Sequence, residues 1–146
     1  MGKICCGFGH RELYKDIYDK LCKAVEYAYY QGCDLFYTGD MGEFDDKFAS
    51  AVRRLKSEHE EVKLVCIKPY MTIKLNENKE FYYERFDDIE IPTELADTHY
   101  KKVITKRNEW IVDQSDIAIF CVYRDFGGAY NTLKYAQKTG VEIIII

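Results

Sequence analysis

The sequence has little of what would mark a secreted, metal-bound or membrane-spanning protein. With two prolines and one tryptophan in 146 residues, it offers no proline-rich linker or recognition segment. No apolar stretch is long enough to cross a bilayer, and Met1-Gly2-Lys3 opens no signal peptide, so neither a membrane partner nor export is expected. Three histidines and six cysteines contain no Cys-x-x-Cys or Cys/His spacing of the zinc-holding kind, and no metal is expected. Disulfides are not expected either. Cys5 and Cys6 are adjacent and would point to opposite faces of a strand, while Cys66 and Cys121 sit inside apolar runs. Buried thiols of this kind fit a reducing cytoplasm. An excess of positive charge is lacking as well: 21 basic against 25 acidic residues give a formal charge of -4. A chain so balanced does not hold nucleic acid by a general basic field, although a local basic patch stays open. The expected partner is a small molecule or protein, and nucleic acid is not expected.

What the chain does have is alternation. At 47% apolar it can bury the core of one domain, residues 1–146. Short apolar runs at 3–7, 35–38, 62–67, 117–123 and 141–146 read as strands, separated by stretches of helical periodicity. The first such stretch runs from Glu12 to Gln31, with Leu13, Ile17, Leu21, Ala24, Val25 and Ala28 on one face and Gly32 as the stop. The second runs from Glu43 to Glu58 with Phe44, Phe48, Val52 and Leu55 inward. A third spans Tyr100 to Gln114, and a fourth Ala129 to Lys138. Residues 71–98 break the alternation and read as a short helix plus a brief strand or loop around Ile89–Ile91. The final Val-Glu-Ile-Ile-Ile-Ile is too continuously apolar for a half-exposed edge. These features predict an α/β, Rossmann-like, doubly wound and mainly parallel sheet with helices on both faces.

In such a sheet a ligand lies outside the carboxyl ends of the strands. Every unusual loop falls there. The first strand leads into Gly7, Gly9, His10 and Arg11, and the second into Thr38, Gly39, Asp40 and Gly42. The third ends at Lys68-Pro69-Tyr70, and the run 117–123 is followed by Gly127, Gly128, Asn131 and Thr132. Glycines allow close backbone approach, a helix N-terminus attracts an anion, and the fork of Arg11 can meet a phosphate. Arg107, in the basic run Lys101–Arg107, is the residue of that run expected to turn toward the same pocket. Gly-rich turns and charged helix faces also occur for purely conformational reasons, so it is the convergence of four loops that carries weight. Tyrosines crowd the first helical stretch (Tyr14, Tyr18, Tyr27, Tyr29, Tyr30) and widen its apolar face, which favours a homo-oligomer.

Gly9-His10-Arg11, Gly39-x-x-Gly42-x-x-Asp45, Pro69-Tyr70, Arg107-Asn108 with Ser115-Asp116, and Gly128-Ala-Tyr-Asn131-Thr132 with Tyr135-Ala136 together resemble the SLOG superfamily. It takes in YpsA-like proteins, the DNA-processing protein A core and the lonely-guy phosphoribohydrolases. The resemblance covers nearly the whole chain. It implies a Rossmann-like fold that binds a nucleotide or nucleotide-derived ligand through phosphate-binding glycine loops, as a sensor or carrier and with no required cofactor. Two alternatives accompany it: hydrolysis of nucleoside monophosphates by the lonely-guy route, with Arg107 as the catalytic candidate, and binding of single-stranded DNA. The enzymatic branch carries a glutamate in the helix after its glycine pair. Here Lys134, Tyr135, Ala136 and Gln137 fill every register where it would fall, so an enzyme is not the favoured expectation.

Overall fold

Runs rich in β-branched, aromatic and cysteine residues build the strands, and amphipathic segments build the crossovers. The computed structural model describes residues 2–146. In chain order the elements are β1 (Lys3–Gly9), α1 (Tyr18–Tyr30), β2 (Cys33–Thr38), α2 (Glu43–Glu58), β3 (Lys63–Ile67), α3 (Ile73–Glu77), α4 (Lys79–Arg85), β4 (Asp88–Glu90), α5 (Val103–Gln114), β5 (Ile117–Cys121), α6 (Gly128–Ala136) and β6 (Glu142–Ile145). A single 3-10 turn, Thr93–Leu95, precedes α5. The strands form one six-stranded sheet in the order β4-β3-β2-β1-β5-β6, and every neighbouring pair is parallel.

Parallel pairs need crossovers, and these place helices on both faces. One face buries Leu21 and Val25 of α1 and Phe44, Phe48 and Val52 of α2 against Cys5, Phe36 and Cys66. The other buries Ile111 and Val112 of α5 and Leu133 of α6 against Cys6, Phe8 and Phe120. Cys5 and Cys6 thus face opposite layers, as strand alternation dictates. All six cysteines are free thiols. Phe44 and Phe48 are fully buried, and truncating either to alanine should cost about 3–5 kcal/mol.

The topology fixes where a ligand can sit. The chain steps outward from β1 through β2 and β3 to β4, then returns to place β5 on the other side of β1. Strand order therefore reverses between β1 and β5, which opens a crevice at their carboxyl ends.

Several boundaries differ from the sequence expectation. β1 continues to Gly9, so Gly7 lies inside the strand. Its role is packing: a Cβ there would come within 2.5 Å of the Phe48 ring, and the bare backbone lets α2 lie close to the sheet. α1 begins only at Tyr18; the Tyr123 hydroxyl donates to the carbonyl of Glu12, and Asp16 accepts from the N–H of Tyr18 at 2.9 Å, holding residues 12–17 as an irregular strap. β5 ends at Cys121 and frees Val122 and Tyr123 for the following loop. The ambiguous middle segment supplies two short helices and the edge strand β4. Tyr82 and Phe86 join the core there, while Phe81 and Tyr83 stay exposed. Among the tyrosines near α1, Tyr29 stacks on His59 at 4.1 Å, Tyr27 donates to Glu142 at 2.7 Å, and Tyr14 meets Tyr123 edge-on at 4.4 Å. No helix of the described residues is long and apolar enough to cross a membrane.

Candidate functional site

The loop after β1 is held from two sides. Glu43, the first residue of α2, donates its N–H to the carbonyl of Arg11 at 2.8 Å, and Gly42 lies directly against the Arg11 main chain. His10 is 3% exposed, accepts the N–H of Tyr123 on Nε2 at 3.2 Å, and packs edge-on against the Tyr123 ring at 4.3 Å. Burial, aided by the nearby Arg124 charge, lowers the His10 pKa from its ordinary value. The ring is therefore neutral near pH 7, and with Nε2 occupied as acceptor its proton sits on Nδ1. That N–H has no hydrogen-bond partner among the described residues.

The loop after β2 is organised by two carboxylates. Asp40 occupies the left-handed region (φ 56°), which Asp tolerates better than most residues. Its oxygens accept from Lys68 at 3.3 Å and from Arg85 at 3.3 Å. Asp45, near the start of α2, accepts the N–H of Met41 at 2.8 Å and is 9% exposed. Burial raises its pKa to about 7, against the opposing pull of the Met41 N–H and the Arg107 charge.

Arg107 joins three loops. Its Nη1 donates to the carbonyls of Ile67 (2.9 Å) and Gly39 (3.3 Å), and its Nη2 meets Met41 Sδ at 3.1 Å. Its Nε donates to Asn108 Oδ1 at 2.9 Å. Asn108 in turn donates to Thr132 Oγ1 at 3.3 Å, and Thr132 donates to the carbonyl of Gly128 at 2.8 Å. One polar relay thus runs from the ends of β2 and β3 to the first turn of α6. Burial pushes the guanidinium pKa down while Asp45 pulls it back up; the group stays charged.

The fourth loop leaves a helix start bare. Gly127 caps α6 at φ 96°, a conformation that a side chain would strain, and no side chain caps the helix. The first backbone bond of the helix runs from Asn131 N–H to Gly127 O, so the N–H groups of Gly128, Ala129 and Tyr130 have no intrahelical acceptor. Space is open beyond Gly127 and Gly128. Arg124 lies beside them, its guanidinium over the rings of Tyr123 (5.6 Å) and Phe126 (5.1 Å).

These loops enclose a cavity of about 340 Å³ at the β1/β5 crevice. Of the residues singled out from sequence, Gly9, His10, Arg11 and Gly39 line it from one side. Arg107, Gly127 and Gly128 line it from the other. An adjoining cavity of about 320 Å³ is lined by Asp40, Lys68, Pro69, Tyr70 and Lys74 and shares Gly39, Met41, Ile104 and Arg107 with the first. Gly7, Thr38, Gly42, Asn131 and Thr132 line neither. Gly7 is under Phe48, Gly42 under Arg11, and Thr132 is committed to the relay. Asn131 faces solvent. Thr38 is 1% exposed, with a buried hydroxyl that has no partner. Asp45 and Asn108, quoted from sequence only within the motifs that carry the resemblance, line the cavity as well, and so does Arg124, which sequence reasoning missed. Arg124 carried a readable signal, a basic residue directly ahead of the glycine pair. Lys106, in the same basic run as Arg107, turns outward to Glu109 at 3.4 Å.

No protein-family model matches the sequence, and no curated protein matches it. Solved structures do match the fold. The structure of DNA processing protein A from Helicobacter pylori, described for its single-stranded DNA binding mode, superposes with a TM-score of 0.66 at 12% identity, over 98% of this chain and 64% of that one. DNA processing protein A from Streptococcus pneumoniae superposes with a TM-score of 0.68 at 12% identity, over 98% of this chain and 50% of that one. The chain thus spans only half to just under two thirds of the length of these neighbours. The fold is the Rossmann-like one that the SLOG resemblance implies, and the matching structures are of a protein named in that resemblance. The expectation that nucleic acid is not a partner class is overturned by the first of these neighbours, a nucleic-acid binder with the same fold. Net charge averages over the whole surface, whereas here Arg11 and Arg124 gather at one cavity and Lys68 and Lys74 at the next.

Proposed function

We propose that the chain binds single-stranded DNA in the cleft over the carboxyl ends of β1, β2 and β5. A backbone phosphate would rest on the free N–H groups of Gly128 and Ala129, where the helix dipole favours an anion. Arg11 and Arg124 flank that position and would pair with it by charge-assisted hydrogen bonds. The Nδ1–H of His10, which lines the same cavity, supplies a further donor. The observation that carries this reading is the continuity of the cleft: the first cavity does not close around a single nucleotide but passes Ile104 and Arg107 into a second, lysine-lined cavity. A strand has a next residue to place there. The fold shared with DNA processing protein A supports the same choice.

A second reading keeps the first cavity and gives it a free nucleotide or nucleotide derivative. The volume of about 340 Å³ is within the range of small-ligand sites, and the same N–H groups would take a terminal phosphate. Competition separates the two. Fluorescence anisotropy of labelled oligo(dT) is followed while thymidine monophosphate, ADP-ribose or NAD is added. The single-strand reading expects tight oligonucleotide binding that weakens steeply with salt and is displaced only by millimolar mononucleotide. Oligonucleotide that does not bind, with micromolar binding of one of the small ligands, overturns it in favour of the second.

A further inference from the structure

A third cavity continues the line of the first two. It measures about 490 Å³, shares Pro69 and Tyr70 with the second, and is walled beyond them by Pro92, Leu95, Tyr100 and Val103. No charged residue lines it, in contrast to the Arg- and Lys-lined cavities beside it. Tyr100 is 73% exposed and Tyr70 49% exposed, and Tyr100 already stacks on His99 at a centroid distance of 4.6 Å.

We infer that this apolar groove seats a base of the same single strand, so that the strand occupies three adjoining sites along the rim of the sheet. The inference rests on the single-strand reading above and extends it. Its support is a pairing of cation and aromatic ring that recurs at each step. Arg124 lies over Phe126 at 5.1 Å by the first cavity. Lys68 and the half-exposed Tyr70 line the second together, while the ring directly under Lys68, Tyr82, is buried in the core; Lys101 lies over Tyr100 at 6.0 Å by the third. A nucleotide chain offers the matching alternation, an anion followed by a flat π-face, and base–aromatic stacking is the usual source of sequence-tolerant grip on single strands. The flanking lysines complement phosphate, and the groove continues the cleft on which the phosphate reading stands; these two features commit it to a base rather than to an apolar segment of another protein.

The test is a length series. Unlabelled 5′-phosphorylated dT1, dT2, dT3, dT4 and dT6 compete with fluorescent dT12 for the full chain. Each added nucleotide up to the third is expected to improve competition about tenfold, on the order of one stacked base, with shallower gains beyond. Tyr100→Ala is expected to shrink the step from two to three nucleotides to less than twofold. Tyr100→Phe is expected to restore it, since stacking needs the ring and not the hydroxyl. Ser57→Ala, on the far end of α2, is expected to follow the unaltered protein. If dT1 and dT2 compete but dT3 gains nothing, or if Tyr100→Ala leaves that step intact, the groove is not a base site, although the cleft reading stands. If dT12 itself does not bind, both readings fall. A dimer in sedimentation that Tyr100→Ala splits would assign the groove to a second copy of the chain and overturn the inference.

Discussion

The Nη1 group of Arg107 donates to the main-chain oxygen of Ile67 at 2.9 Å, tying the last residue of β3 to α5. The same guanidinium reaches Gly39 after β2 and, through Asn108 and Thr132, the first turn of α6. An arginine 2% exposed and so fully engaged acts first as the strut that sets the distances between the ligand-facing loops. Arg11 and Arg124, both exposed, are the arginines free to meet an incoming phosphate.

Arg107→Ala is therefore expected to destabilise the fold by about 3 kcal/mol, because it leaves buried carbonyls unpaired and removes the positive charge that favours the Asp45 carboxylate. Arg107→Lys should recover little of this, since a single ammonium cannot reach carbonyls and amide together as a planar fork does. Urea unfolding at pH 7 measures both. Two variants as stable as the unaltered protein would show that the strut carries no load.

Arg11→Ala and Arg124→Ala should behave in the opposite way. Each is expected to weaken oligo(dT) binding about five- to tenfold and to lower the salt slope of log affinity by about 1. Their unfolding midpoints should stay close to that of the unaltered chain, as for most exposed positions. Salt titrations by anisotropy, run beside thermal melts, check the pair.

Gly128→Glu separates stability from binding by sign. Nothing lies within 4 Å of the position a Cβ would take there, so the side chain fits. A carboxylate at the start of α6 favours the helix by about 0.3–1 kcal/mol, yet it occupies the ground proposed for the phosphate. The expected outcome is an unchanged or raised melting temperature with at least tenfold weaker DNA binding. Unchanged binding would remove the phosphate from this turn.

Asp45 gives a pH dependence with a definite direction. Arg107, Asp40 and Asp46 act on its carboxyl, with the Met41 N–H bonded to it, and burial outweighs them to raise its pKa to about 7. A carboxyl whose pKa is raised on folding binds more protons folded than unfolded between its ordinary value near 4 and about 7. Its contribution to stability therefore falls as pH rises through that window and levels off above it. His10, with its pKa lowered, works oppositely: its contribution is lost as pH falls below the ordinary histidine value. Asp45→Asn should remove the decline between pH 4 and 7 and leave the histidine limb. Denaturant midpoints measured at intervals across pH 4–8 check this, and parallel profiles for the two proteins would contradict it.

Much of the architecture was legible because parallel sheets write themselves as apolar runs and amphipathic crossovers. Phe44, Phe48, Val52 and Leu55 marked one face of α2, and the run before Gly127 marked β5. The segment at 71–98 was not legible, since α3, α4 and β4 are each too short to establish a period and owe their form to tertiary contacts such as Tyr82 and Phe86 in the core. The start of α1 was misread because Leu13 and Ile17 keep helical spacing while Tyr123 and Asp16 hold that strap by hydrogen bonds. At the site, the loops were readable and their internal division of labour was not. Nothing in Gly7 or Thr132 distinguishes a residue that meets a ligand from one that packs a helix or braces a turn. The difference lies in long-range partners: Phe48 for Gly7, and Asn108 for Thr132.

Backbone amide shifts test the location of binding most directly. In a nitrogen-15 correlation spectrum titrated with dT6, the amides of Gly128, Ala129 and Tyr130 are expected to move most, together with those of Gly9, His10 and Arg11. Shifts confined to the α1–α2 face, or a spectrum that dT6 leaves unchanged, would contradict a nucleic-acid cleft at the carboxyl ends of β1 and β5.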